Sequence, residues 1–230
     1  MKNKITTILC GFLFVLTIKA QDNCSTYYPL EEGATFQYTN YNKKGKEEGK
    51  VDYTVADVNN NGSITSATMK MKYQDEKGDE LFSSEYEFSC EGNAVKIDFQ
   101  SLISEQMLTQ FKDMEMEVTG TDIELPNSLS VGQELADANV AIKISMSGIN
   151  MNMNVETVNR KVEKKETITT PAGTFDCYVI YSETKSKMMM ANKTFPNRLW
   201  LSEGVGMVKQ ESYTKKGKIM SSSLLTSFEK

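Results

Sequence analysis

The residues able to do chemistry are unevenly supplied in this chain. Among 230 residues there is no histidine, against 14 methionines, 4 cysteines and a single tryptophan. Without imidazole there is no Ser-His-Asp or Cys-His nucleophile, no histidine proton shuttle and no His-containing zinc or iron site. Carboxylates occur close together at Glu31-Glu32, at Glu47-Glu48, and at Asp113 with Glu115 and Glu117. A glycoside hydrolase needs two carboxyl groups facing each other across a cleft, about 5–10 Å apart. Here they fall in turns or alternate with Met114 and Met116, as on a solvated strand face, so no catalytic residue is assigned and the chain is read as a non-enzyme. Methionine thioethers suit cuprous copper. Met146, Met151 and Met153, however, fall on the apolar side of alternating segments, where methionine is an adaptable core filler. No metal or cofactor is expected. Met188-Met189-Met190 is different, because three successive residues of a strand cannot all face one way. One of them is expected at a rim or pocket. Met188, Met190, Trp200, Met107 and Phe111 form the candidate lining of a ligand pocket.

The N-terminus sets the compartment in which such a pocket would work. Lys2 and Lys4 precede an apolar stretch from Ile5 to Ile18, and small Ala20 precedes polar Gln21 and Asp22. That is the form of a secretory signal over residues 1–20, too short to span a bilayer. Cys10 and Cys24 follow Leu9 and Asn23, neither of them the small residue that lipidation requires. No later apolar run reaches the ~18–20 residues of a membrane span, so none is expected after signal removal. Removal takes three lysines and leaves 23 basic against 31 acidic residues, a net charge of −8. A chain so acidic, with no dense basic run, lacks the footprint of a nucleic-acid binder. The clusters Lys43-Lys44-Lys46 and Lys215-Lys216-Lys218 surround glycines and read as solvated hairpin tips.

Export permits a disulfide, and three cysteines remain beyond residue 20. Cys24 and Cys90 sit among turn-forming neighbours, whereas Cys177 lies inside the apolar run Phe175–Ile180. Cys24 is therefore paired with Cys90. The closed loop of about 66 residues would stabilise the fold by roughly 4 kcal/mol on the chain-entropy account. Cys177 has no base to make its thiolate and is read as core.

The dominant pattern is period-two alternation broken by Gly, Asn and Asp turns, the signature of antiparallel β structure. It begins near Phe36 and runs through Val51–Val55, Ala67–Tyr73, Phe82–Cys90 and Val95–Phe99. It resumes at Val140–Met146, Ile149–Val155, Glu163–Thr169, Phe175–Tyr181, Met188–Ala191, Arg198–Leu201, Val205–Tyr213 and Ile219–Phe228. One segment breaks it. Leu102, Ile103, Met107, Leu108 and Phe111 recur at helical spacing, with Ser101 placed to cap. This short amphipathic α-helix over Ser101–Lys112 is expected to cover an open end of the sheet. Leu125–Gly132 reads as a loop. The fold expected is mainly β: antiparallel meanders forming an open or partly closed barrel with one short amphipathic helix. Residues 21–230 are taken as a single β domain of two meander halves meeting near 119–138.

Tyr-x-Lys-Lys-Gly-Lys recurs at Tyr41–Lys46 and Tyr213–Lys218, and is read as one hairpin solution used twice. Pro171-Ala172-Gly173 launches a buried strand. The glycines of Gly204-Val205-Gly206 suggest a bulge or the close approach of another backbone, and no helix follows to make them a phosphate loop. Three stretches taken together carry a resemblance. They are Cys24–Pro29 with Glu32-Gly33, Thr170–Cys177, and Trp200–Lys209. In order and spacing the ensemble resembles the TapB-like exported proteins of unknown function from Bacteroidota, related to a wider periplasmic family of unknown function. The resemblance implies an all-β, open-barrel-like architecture and export in a Gram-negative bacterium, to the periplasm or cell surface. It implies no activity. The reading that follows is a domain binding an apolar or envelope-derived ligand; the alternative is an envelope or surface interaction module without a small ligand.

Overall fold

The computed structural model describes residues 24–103, 109, 114–146, 149–188 and 191–230. Its strands are β1 (Thr35–Asn42), β2 (Glu47–Asn61), β3 (Ile64–Asp75), β4 (Glu80–Glu91), β5 (Ala94–Ile97), β6 (Glu115–Thr121), β7 (Ile123–Pro126), β8 (Ala138–Met146), β9 (Ile149–Thr170), β10 (Gly173–Met188), β11 (Ala191–Ser202), β12 (Gly206–Tyr213) and β13 (Ile219–Glu229). They form one antiparallel 13-stranded sheet in the order β6-β8-β9-β10-β11-β12-β13-β1-β2-β3-β4-β5-β7. Alternation makes the strands: in β3, Ala67, Met69 and Met71 are buried while Lys70 and Lys72 are exposed.

The two ends of that order, β6 and β7, are consecutive in the chain and separated only by Asp122. Glu115–Thr121 pairs with β8. One residue later, Ile123–Pro126 pairs with β5 at the far end of the sheet. The chain itself thus bridges the sheet's ends and rolls it into a nearly closed barrel with a staggered seam. Residues 132–135 pack into the seam beside β9. The Gly132 amide donates to the Val162 carbonyl at 2.8 Å, and the Leu135 amide to the Arg160 carbonyl at 2.9 Å. Asn159 takes a left-handed backbone, φ 54°, which Asn tolerates better than most residues. This kink in β9 sends Arg160 inward, where it is only 5% exposed. Its Nη1 donates to the carbonyls of Glu124, at 3.1 Å, and of Ala136. One guanidinium therefore ties β7 and the lead-in to β8 onto β9.

The interior is filled. One cluster joins Phe36, Tyr38, Val55, Met69, Phe88 and Leu225. A second gathers Tyr27, Leu125, Leu129, Val162, Ile180 and Leu201. A third holds Ile103, Val140, Ile142, Ile144, Met153 and Val155. Tyr28 touches the first two. The Tyr38 hydroxyl, held far above its usual pKa by burial, donates to the Met207 carbonyl at 2.8 Å. A strap leading into β1 plugs this interior. Cys24 forms a disulfide with Cys90, the pairing expected from the sequence. Asn127 accepts from the Thr26 amide at 2.9 Å and donates to the Cys24 carbonyl at 2.5 Å. The Tyr28 ring lies 5.0 Å from that of Phe88 and rests on Gly206, where an added Cβ would sit 2.5 Å from the ring. The close approach at Gly206 is thus made by a tyrosine side chain and not by the backbone expected from the sequence.

Several expectations are corrected. At Ser101 the chain makes a 3-10 turn over Phe99–Leu102, capped by the Asp98 carboxylate, which accepts from the Gln100 amide at 2.8 Å. Ser101 sits inside this turn, its hydroxyl buried without a partner. It is therefore not the cap. Most of the expected helix, including Met107 and Phe111, lies outside the described residues. Ile149–Val155 and Glu163–Thr169 merge into β9, because the segment between them has neither Gly nor Pro and bulges instead of turning. Met188–Ala191 is not a strand of its own but the end of β10 and the start of β11. Leu125 and Pro126, expected in a loop, end β7.

Gly206→Ala, with its Cβ against Tyr28 at φ 90°, is expected to destabilise the protein by about 1–3 kcal/mol in urea unfolding. Arg160→Leu, which strips the Glu124 and Ala136 carbonyls of a donor from the buried guanidinium, is expected to cost about 2–4 kcal/mol in the same measurement.

Candidate functional site

Because the interior is packed with side chains, any site must be sought on the outward face and at the barrel ends. Along β10 the side chains of Tyr178 and Ile180 go to the interior, and those of Cys177, Val179 and Tyr181 go outward. On the outer face of β9–β12, Cys177, Val179, Trp200 and Val208 form a fourth buried cluster. Charged groups roof it. The Trp200 indole, 5% exposed, donates to Glu166 Oε2 at 3.1 Å. The Lys209 ammonium lies 4.5 Å from the indole centroid. Hydrogen bonds from Lys164 and Trp200 hold the Glu166 carboxyl below its ordinary range. Farther along, Arg198 binds Glu163 in two-pronged fashion at 2.6 and 3.1 Å and lies 5.2 Å from the Tyr213 ring. The Tyr213 hydroxyl, pushed up to about 12 chiefly by burial, donates to Glu211, and Glu211 pairs with Lys209 at 2.7 Å. Each charge in this ladder has a protein partner. It braces four strands and presents no free nucleophile or acid. Burial, with Asp176 and Glu166 nearby, pushes the Cys177 thiol up to about 11. Among the described residues no three His, Cys, Asp or Glu side chains gather as a metal site.

The larger concavity lies on the same outward face, across β6, β8, β9 and the end of β10. It is an open groove of about 770 Å³. Two rows of cross-strand neighbours line it: Thr119, Ala141, Asn154 and Lys187, then Glu117, Lys143 and Asn152. Short Thr119 and Ala141 leave the hollow, while Lys143 and Lys187 rise beside it. Lys143 Nζ is 3.5 Å from Glu117 Oε2. Asn154 Nδ2 donates to Glu156 Oε1 at 2.9 Å. Ile142, Met151 and Met153 complete the lining. A second open hollow, about 250 Å³, lies between the start of β11 and the β12–β13 turn. Asn192, Lys193, Thr194, Phe195, Thr214, Lys215 and Met220 line it.

The sequence-derived pocket residues separate in space. Trp200 belongs to the outer ladder and lines neither concavity. Met188 closes β10 with its backbone opposite Met153, a groove residue, and opposite Ala191. Met190, Met107 and Phe111 lie outside the described residues. Lys143, Asn152 and Asn154 alternate with apolar residues along their strands, and their gathering into a groove depends on pairing between separate strands that no local pattern shows. Arg160 gave no local signal at all. No described helix is long and apolar enough to cross a membrane.

These features define a filled antiparallel β-barrel with a disulfide-tethered N-terminal strap and an open outer groove. The chain belongs to the DUF3108-like family, whose profile matches residues 31–225. Among solved structures it is similar to a candidate exported protein with a YmcC-like fold from Bacteroides fragilis NCTC 9343. That match has 19% identity and a TM-score of 0.77 and covers 90% of this chain and 100% of the other. It is likewise similar to a candidate lipoprotein from Parabacteroides distasonis ATCC 8503, at 22% identity and TM-score 0.74, covering 89% of this chain and 99% of that one. No curated protein matches it. At these identities the likeness establishes the fold.

The geometry of Cys177 gives a direct check. Thiol reagents at mildly alkaline pH are expected to leave it unlabelled in the native protein and to modify it once urea unfolds the chain, as mapped by peptide mass spectrometry. Labelling of the native state would contradict its placement.

Proposed function

We propose that this is a non-enzymatic, exported domain of the Gram-negative envelope that binds an apolar, envelope-derived ligand carrying a polar head. The signal-like N-terminus supports export, as do the candidate exported and lipoprotein relatives and the TapB-like motifs. The observation that carries the binding reading is the outer groove. Its size, about 770 Å³, falls within the roughly 300–1,000 Å³ of small-molecule sites. Asn152, Asn154 and Thr119 offer amide and hydroxyl partners for a head group, with Lys143 and Lys187 at hand for an anionic one. Apolar contact comes from Ala141, the Thr119 methyl and the aliphatic stems of Lys143 and Lys187, since Met151, Met153 and Ile142 are packed inward beneath the floor. The carboxylates of the neighbouring ladder are engaged by Lys, Arg, Tyr and Trp, which disfavours acid–base work there. A second reading, a partner-docking module, draws on β6 and β7 as the terminal strands of the sheet order.

Delipidated protein titrated with a fluorescent fatty acid is expected to show saturable uptake, and native mass spectrometry to show co-purifying lipid. Ala141→Trp fills the groove from an exposed strand position and is expected to weaken uptake at least tenfold while the far-ultraviolet dichroism stays unchanged. Uptake that never saturates, or that survives this substitution, would falsify the reading. A reproducible crosslinked partner together with no uptake would favour the docking alternative.

A further inference from the structure

The register brings one set of hairpin turns to one end of the barrel. Lys187 stands opposite Asn192 beside the β10–β11 turn, and Asn197 opposite Ser212 relates β11 to β12. Tyr213 opposite Ile219 closes the β12–β13 turn, and Ser221 opposite Asn42 sets that turn beside the β1–β2 turn. Three segments far apart in sequence thus share a rim.

That rim is basic on an acidic protein. Residues 184–198 and 212–227 contain no Asp or Glu, in a chain of net charge −5. The β12–β13 turn exposes Lys215, Lys216 and Lys218, and the start of β11 exposes Lys193. Lys43 and Lys44 extend the arc on the β1–β2 turn. Among the described residues none of these has a carboxylate at salt-bridge distance. Lys46 marks the limit of the arc, paired at 2.6 Å with Glu76 of the acidic β3–β4 turn. Away from the rim, Lys70, Lys72, Lys96, Lys143, Lys164, Lys209 and Lys230 each lie within 4 Å of a carboxylate.

Apolar groups sit among these charges. Ile219 is 44% exposed, one of only three large hydrophobic residues so exposed among those described. Next to it, Met220 and Phe195 line the 250 Å³ hollow, with Lys193 and Lys215 also in its wall. A soluble polyanion would satisfy the lysines and leave Ile219 in water. A lipid surface with anionic head groups takes both, phosphates against the ammonium groups and Ile219 below them. We propose that this rim, formed by the start of β11 and the β12–β13 and β1–β2 turns, docks the protein onto an anionic membrane surface. Docking is peripheral and reversible, and it is separate from the outer groove: the lysines hold the barrel end-on while the groove stays open on its flank.

Sedimentation of purified protein with phosphatidylglycerol–phosphatidylcholine vesicles, against vesicles of phosphatidylcholine alone, tests this. The expected result is binding to the anionic vesicles only, weakening as salt is raised. Each rim lysine removed is expected to weaken partitioning about fivefold, so the combined K215E, K216E and K218E variant should lose it. Ile219→Ser should weaken binding to vesicles but not retention on heparin. Reversal of Lys96 and Lys230, at the opposite end of the barrel, should change nothing. All these positions are exposed or half-exposed, and unchanged melting curves will confirm intact folding. Equal binding to neutral vesicles, no binding at all, or binding that survives the triple reversal would overturn the proposal. So would heparin retention with Ile219→Ser inert on vesicles, which would mark a polyanion site instead.

Discussion

Closure of the sheet at Asp122 is the constraint from which the rest of the molecule follows. A single chain segment pairs with β8 through its first half and with β5 through its second, so the ring is completed by covalent continuity. Closing a sheet removes the long unpaired edges that would otherwise invite association. It also withdraws one face of thirteen strands from water. Every inward side chain must then be apolar or hydrogen-bonded, and this is what the period-two pattern encodes. The exceptions are instructive. Arg160 enters the interior where the ladder is incomplete, and its guanidinium replaces amide donors the seam lacks. Desolvation pulls its pKa below the ordinary range, a cost offset by two carbonyls that would otherwise be orphaned.

A closed barrel of this girth still has ends to fill, and here an N-terminal strap fills one of them. Cys24 fixes the strap to the end of β4, Asn127 fixes it to the loop after β7, and the Gly204 amide donates to the Thr26 carbonyl at 2.9 Å. These anchors come from three separate stretches of the chain. Tyr27 and Tyr28 are thereby held against the first and second clusters, and the Tyr28 amide donates to the Ser25 hydroxyl at 3.0 Å. Gly206 yields the space for Tyr28. The Cys24–Pro29 and Trp200–Lys209 motifs are thus two sides of one contact, which explains why a sequence would carry them together.

The β character of the chain, the Cys24–Cys90 pairing and the structural role of the paired glycines were legible because each rests on local chemistry: alternation, turn-forming neighbours, the tolerance of glycine for positive φ. Ser101 is not the cap because Asp98, three residues earlier, caps the same turn and holds the Gln100 amide, while most of the expected helix lies outside the described residues. The bulge at Asn159 was invisible because nothing in Val158-Asn159-Arg160 distinguishes a kink from a regular strand. The groove was out of reach for a deeper reason. Its rows run perpendicular to the strands, so Thr119, Ala141, Asn154 and Lys187 become neighbours only through the order β6-β8-β9-β10. Trp200, the residue composition singles out, has its single polar atom committed to Glu166.

The outer surface uses one lattice of alternating positions in two ways. Over β9–β12, large side chains face one another across strands, Arg198 against Glu211 and the Trp200 ring against Lys209. The side chains reach over the apolar residues beneath, bury them and cancel each other's charge. Over β6–β9 the central facing residues are Thr119, Ala141 and Asn154, too short to meet, and the long side chains stand only at the margins. A face that would otherwise close over itself is thereby left concave, with amides and ammonium groups directed into the open space. The difference lies in side-chain length at three positions, not in backbone geometry, since both regions belong to the same continuous ladder. Binding capacity on such a barrel is set where the outward row is left unfinished.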